Sequence, residues 1–319
     1  MHLWKFTNGE CLTIENPNWI HLLDDKSTIF WLDLSTDDPA APKILHEVFR
    51  FHPLAMEDTF NERQRPKVEE YEDHLFGILN AVELKDGELE FREVDVFLGA
   101  NFLVTVHDDQ REKMIDEVLH RVNKRGMFKL PMSPGYLLYS LVDTMVDSYF
   151  PILDVIGDTI DLYSEEILVN PKQEQLKELF KLKRSLAEMW RVVGQQRDMF
   201  LVLTREGSPF INQDVLRYYL RDVYDHLIRV SDTVNTFRDT LSNVIDLYLS
   251  SVSNRLNVIV RRLTVITIGS SVLAVITGFY GMNFDTTFPP FSADWGVPFV
   301  IGLMIVAIAI VAFIFGRQE

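Results

Sequence analysis

Tyr280-Gly281-Met282-Asn283-Phe284 stands between two uncharged apolar stretches, Leu263 to Gly281 and Val297 to Phe315, and this arrangement decides the fold. Neither stretch contains Lys, Arg, Asp, Glu or His. A helix needs roughly 20 apolar residues to cross a hydrocarbon layer of ~30 Å, and both stretches approach that length. The second is apolar on every face, as a lipid-facing helix must be. The chain therefore reads as ending in a two-helix transmembrane hairpin. Arg255, Arg261 and Arg262 precede the first span and Arg317 follows the second, whereas the connecting loop holds Asp285 and Asp294 and no Lys or Arg. The bias of basic residues toward the cytoplasmic side then predicts both termini inside and the loop outside.

Working back from the loop, the first span carries a second pattern. Gly278, Ala274, Ser271, Thr267, Thr264, Val260, Asn257, Ser253, Ser250 and Asp246 recur at alternating steps of four and three. That spacing keeps them on one helix face, and all but Val260 are small or polar. Within the membrane, a seam for close helix packing explains such a stripe as well as a water-lined pore does. Its continuation below the membrane as Asn and Asp favours the pore. Beside it runs an apolar repeat: Leu216, Leu220, Val223, Leu227, Val230, Val234, Phe237, Leu241, Val244, Tyr248, Val252, Leu256, Ile259 and Leu263. No Gly or Pro interrupts residues 210–268. One helix from about 212 to 280 would be on the order of 100 Å long. Sustained heptads demand helical partners, so a membrane-anchored coiled-coil scaffold that conducts nothing is an alternative. It leaves the polar stripe unexplained.

The 319 residues suffice for a large soluble part before this hairpin. A net charge of −16 argues against a nucleic-acid partner and suits cations. The single cysteine, Cys11, excludes a disulfide framework and a multi-thiolate site. Residues 1–10 lack a basic segment followed by an apolar run, so no signal peptide is expected there, and the soluble part is expected to stay in the cytoplasm. Thr28–Leu34, His74–Leu84, Leu89–Leu98 and Phe102–Val106 read as strands, with a hairpin turn at Gly99-Ala100-Asn101. Helices are expected over 42–51, 110–124, 135–168 and 172–205, the last two forming an antiparallel hairpin turned at Asn170-Pro171. No phosphate-cradling Gly-rich motif ending in Lys-Ser/Thr is present, which argues against a nucleotide, and no nucleophile–base constellation suggests an enzyme.

Tyr-Gly-Met-Asn-Phe between two C-terminal spans resembles the CorA family of divalent-cation channels. His52-Pro-Leu-Ala-Met-Glu-Asp58, Gln64-Arg-Pro-Lys-Val68, Tyr71, Leu138 to Pro151 and Ser253-Asn-Arg-Leu-Asn257 extend the likeness along most of the chain. The C-terminal tail departs from it, since Arg317 stands almost alone where a basic cluster is usual. The resemblance implies a funnel-shaped homopentamer in the plasma (inner) membrane, whose subunit joins a cytoplasmic α/β domain (1–130) to a helical hairpin (131–210). A long stalk helix (211–262), a pore-lining span (263–281), an outer loop (282–296) and a second span (297–316) would follow. It implies passage of Mg²⁺, with Co²⁺ or Ni²⁺ as further cargo, past Gly281, Met282 and Asn283 at the outer mouth. Asp246, Asn257, Val260, Leu263, Thr264, Thr267, Ser271, Ala274 and Gly278 would line the pore. Divalent cations held between neighbouring subunits by Asp58 and Asp222, with Glu57 and His226 as a companion set, would regulate it. A zinc transporter of the related ZntB type, coupled to protons, is the alternative; that branch usually carries Gly-Val-Asn where this chain has Gly-Met-Asn.

Overall fold

A computed structural model describes residues 1–7, 10–61, 64–85, 87–108, 112–123, 132–206, 208–211, 214–282, 288–290 and 294–316. Among the described residues seven strands form one sheet: β1 (His2–Thr7), β2 (Glu10–Thr13), β3 (Ile29–Ser35), β4 (Lys67–Glu70), β5 (Leu75–Lys85), β6 (Glu88–Leu98) and β7 (Phe102–His107). Their order is β2-β1-β3-β7-β6-β5-β4. Every pair is antiparallel except β3 with β7, which is parallel with Leu32 opposite Val104. Side chains alternate across a strand, so each face of this sheet needs its own cover.

One face is covered by short helices. These are α1 (Trp19–Asp24), α2 (Ala41–Lys43), which continues as a wider π turn over Ile44–Val48, and α3 (Pro53–Phe60). Helix α3 starts where Pro53 occupies the first turn and the His52 ring accepts the Leu54 N–H at 3.2 Å. The expected helix over 42–51 is thus mostly π turn. The widening ends at Arg50, whose φ of 54° is left-handed, and brings Phe49 and Phe51 into the core. There Phe51 stacks on Phe97 with centroids 4.1 Å apart, beside Phe30, Leu32, Phe76 and Val104.

Helices α4 (Glu112–Asn123) and α5 (Pro134–Asp147) follow, and α5 packs across β3, β5, β6 and β7 on the opposite face. Then come α6 (Tyr149–Val169) and α7 (Gln173–Glu206). The single helix expected over 135–168 is two, parted at Ser148, whose hydroxyl donates to Met145 O at 2.6 Å. Side chains that hydrogen-bond their own backbone favour such breaks. Directly after the break, Tyr149 is buried and donates its hydroxyl to Asn80 O at 3.0 Å. Gln196 of α7 completes this polar network by donating to Tyr149 and accepting the Asn80 N–H.

The long helix expected from the heptads is α8 (Asp214–Tyr280), 67 residues, and α9 (Gly296–Gly316) is the last element. Gly157 of α6 lies so close to Phe237 of α8 that a Cβ would stand 3.1 Å from the ring. The apolar seam of α8 is buried from Leu216 to Tyr248, with Phe237 half-buried, whereas Leu256, Ile259 and Leu263 are exposed. Chain contacts group residues 1–165 with 172–245 in one compact unit, and 166–171 with 246–319 in another. Both α8 and α9 contain stretches long and apolar enough to cross a membrane.

Candidate functional site

Every member of the polar stripe is exposed: Asp246, Ser250, Ser253, Asn257, Val260, Thr264, Thr267, Ser271, Ala274 and Gly278. Leu263, exposed as well, belongs to the apolar seam and flanks Val260. Thr264 and Thr267 donate their hydroxyls back to Val260 O and Leu263 O, at 2.9 and 2.8 Å. Their donors are thereby spent inside the helix, and oxygen lone pairs remain to accept hydrogen bonds from water. A different face of α8, with Val265, Ile268, Val272 and Ile276, is half-buried. On α9, Val300, Met304, Ala307, Val311 and Phe315 form a matching half-buried row, and Arg261 donates to Phe315 O at 2.9 Å.

At the end of α8 the Gly281 N–H bonds Thr277 O at 2.9 Å and the Met282 N–H bonds Phe279 O at 3.3 Å. A Cβ on Gly281 would lie 3.0 Å from Thr277 O, so the turn suits glycine. The Met282 side chain is exposed, and Tyr280 donates to Phe288 O at 2.9 Å. Asn283 and Asp285 lie outside the described residues.

In the soluble part, Asp58 is bonded by Lys67 at 2.7 Å, and Lys67 also bonds Glu69 at 2.8 Å. Burial lowers the Lys67 pKa, but its bonds to the two carboxylates outweigh that and hold it above its ordinary value. Glu57, one residue earlier, is exposed. Asp222 is exposed on α8 and stands 4.0 Å from His226 Nε2, one turn on. His226 Nδ1 is buried without a hydrogen-bond partner among the described residues and faces Asp147 Oδ1 at 3.9 Å.

The sequence reading did not single out Asp143 and Asp147. Their i, i+4 spacing on α5 put both on one face, but nothing local linked that face to His226. Ligand atoms of Asp143, Asp147 and His226 all lie within 4.8 Å of one another. Arg121 of α4 reaches into this group, donating to Asp143 and Asp147 at 3.0 Å. Burial, then the like charge of Asp147, push the Asp143 carboxyl above its ordinary range, while Arg121 and His226 oppose the shift. Two carboxylates and an imidazole nitrogen make a donor set suited to a first-row divalent cation.

The family model described as CorA-like Mg²⁺ transporter protein matches residues 26–317. The chain belongs to this family. It is 37% identical over 302 residues to the cobalt/magnesium transport protein CorA of Thermotoga maritima, covering 92% of this chain and 84% of that protein. Its fold follows the complete structure of the CorA magnesium transporter from Methanocaldococcus jannaschii, with a TM-score of 0.83 over 100% of this chain and 98% of that one, at 23% identity. The cytoplasmic domain of ZntB from Vibrio parahaemolyticus is a more distant likeness of fold alone, with a TM-score of 0.63 and 13% identity over 80% of this chain and 98% of that one. CorA-like proteins are transporters rather than enzymes, as expected from the absence of a nucleophile–base constellation.

Proposed function

We propose that this chain forms a homo-oligomeric channel, a pentamer on the family resemblance, that admits Mg²⁺ down its electrochemical gradient, with Co²⁺ or Ni²⁺ as further cargo. The observation that carries this reading is the unbroken exposed stripe from Asp246 to Gly278, which joins water-accepting hydroxyls in the apolar span to Asn257 and Asp246 below it. Mg²⁺ sheds water reluctantly, so it passes best with its shell largely kept. Neutral oxygens of Asn283, Thr267, Thr264 and Asn257 hydrogen-bond those waters without trapping the ion. Gly281 lets the helix end turn, and Gly281, Met282 and Asn283 form the outer mouth. Val260 and Leu263 form an apolar constriction that closes by dewetting. No nucleotide is required, since a divalent ion gains roughly 4.6 kcal/mol per 100 mV across the membrane, twice the single-charge value.

The channel sits in the plasma (inner) membrane with both termini cytoplasmic, and intracellular cations regulate it. Asp58 and Asp222 bind a cation between neighbouring subunits, with Glu57 and His226 as a companion set. Asp143, Asp147 and His226 are a further group fit for a cation, because the buried His226 Nδ1 has no hydrogen-bond partner among the described residues and faces a carboxylate. Losing these cations leaves carboxylates repelling one another, loosens the interface and opens the constriction. The test is uptake into proteoliposomes with an inside-negative potential. Mg²⁺ entering with the potential and indifferent to the pH gradient is expected. Zn²⁺ uptake that requires a proton gradient would replace this reading with the ZntB type, and no flux from intact oligomers would leave a scaffold.

A further inference from the structure

Asp95 is a carboxylic acid in the middle of the sheet. It lies on β6 between Ile78 of β5 and Val106 of β7 and is only 2% exposed. Its Oδ1 has no hydrogen-bond partner among the described residues. The carboxyl shares hydrogen bonds with Thr59 and Glu93, but these leave Oδ1 unsatisfied, and a buried carboxylate oxygen without a partner is costly. Yet the Asp95 side chain does not face a dry core: it lines a cavity of about 170 Å³.

The remaining walls are oxygen-rich. Glu93 lies two residues before Asp95 and therefore on the same face of β6; its Oε2 accepts the Gln64 N–H at 2.7 Å. Asp108, just beyond β7, lines the cavity with an Oδ1 that also lacks a partner among the described residues. Its Oδ2 is bonded by Arg92 at 2.7 Å, and that guanidinium is further shared with Glu90. Thr59 of α3 gives its hydroxyl proton to Ala55 O at 3.0 Å, and the same hydroxyl lies in hydrogen-bonding reach of Asp95. Asn61 offers an amide oxygen. Three carboxylates thus share the cavity with one guanidinium that is already paired. Burial, and then the like charge of Glu93, hold the Asp95 carboxyl well above the usual carboxylate range, so the pocket strongly favours whatever cation or proton relieves that charge.

We propose that this cavity is a binding site for a hard divalent cation, Mg²⁺ or Mn²⁺, with Asp95 and Glu93 as its anionic ligands and Thr59, Asn61 and retained water completing an all-oxygen shell. Oxygen ligands and room for water are what Mg²⁺ requires, and the volume holds several waters at about 30 Å³ each. No His, Cys or Met lines the cavity among the described residues, so it lacks the nitrogen and sulfur donors that favour Co²⁺, Ni²⁺ and Zn²⁺. In this it differs from the Asp143, Asp147 and His226 group. The site does not depend on conduction. It joins β6 to α3 at Thr59, the residue after Asp58, and so cross-links the sheet to the helix that carries a proposed regulatory carboxylate.

The test is equilibrium dialysis of full-length, EDTA-stripped protein in detergent against Mn²⁺, with wild type, Asp95→Asn and Glu93→Gln, and with Mg²⁺ as competitor. Each variant is expected to bind about one Mn²⁺ per chain fewer than wild type, while the Asp143→Asn/His226→Ala double variant keeps that ion. Mg²⁺ displaces it from wild type. Full Mn²⁺ stoichiometry in Asp95→Asn overturns the site and means that a proton shared between Asp95 and Glu93 relieves the charge. Should Asp95→Asn fail to fold, Glu93→Gln decides: an undiminished complement of Mn²⁺ overturns the proposal, and loss of one sustains it.

Discussion

Replacing Arg121 with Gln is expected to tighten divalent-cation binding at Asp143, Asp147 and His226 by about 30-fold. Arg121 donates to Asp143 and Asp147 at 3.0 Å and so occupies the position a metal ion would take. Unit charges about 4 Å apart attract by about 4 kcal/mol at an effective dielectric of 20. The Arg121 side chain is 36% exposed, however, and exposed ion pairs retain no more than about 1 kcal/mol each. Two such pairs give about 2 kcal/mol, and at about 1.4 kcal/mol per decade this amounts to about 30-fold. Without the guanidinium the two carboxylates repel, so the metal-free variant should melt earlier than wild type and recover when cation is added. The assay is calorimetric titration of the full-length protein in detergent with Co²⁺, which accepts the imidazole donor. Arg121→Lys keeps the charge and should stay near the wild-type affinity, separating charge from packing. An Arg121→Gln protein that is intact by melting but binds Co²⁺ no more tightly than wild type would refute the reasoning.

Asn283→Ala should assemble normally but lose Mg²⁺ uptake in proteoliposomes; near-normal flux would remove Asn283 from the proposed mouth. Arg50→Gly relieves a left-handed backbone position in a non-glycine residue, where φ is 54°, and should stabilise the protein by about 0.5–1 kcal/mol in thermal melts of the full chain. Asp25 accepts bonds from Ser27 and Thr28, which lower its pKa from 3.8 to about 2. Its contribution is therefore fully present above the unfolded value and is lost as pH falls toward the folded one. Asp25→Asn should flatten that part of the acid-stability profile, and an unchanged profile between pH 4 and 2 would show that these hydrogen bonds do not discriminate the ionised form.

Features set by neighbours along the chain were legible from the start. The apolar run over 297–315 and the uninterrupted heptads from Leu216 answer to helical spacing alone, and both appear, as α9 and α8. The strands at Ile29–Ser35, Leu75–Lys85, Glu88–Leu98 and Phe102–His107 were legible because β-branched and aromatic residues recur in short runs along them. The short strands β1, β2 and β4 were not, since four to six residues carry little periodicity and gain their order from the strands beside them. The break at Ser148 was hidden for a similar reason: its flanks are both good helix, and the burial of Tyr149 against Asn80 that accompanies it is made by a distant strand.

By itself, the sequence determined the two apolar stretches suited to spanning a membrane, the helix of 67 residues and the polar stripe along it, because periodicities of two and 3.6 are local properties of a chain. Only the tertiary structure decided that Asp143 and Asp147 meet His226 from another helix, with Arg121 between the carboxylates. It alone decided that Asp95, one acid among many in the sequence, lies buried at the wall of a cavity with one oxygen unsatisfied among the described residues. Such sites are made by residues far apart in the chain, and the free energy of bringing like charges together is set by burial and by the cations nearby. Neither quantity is a property of any short stretch of sequence.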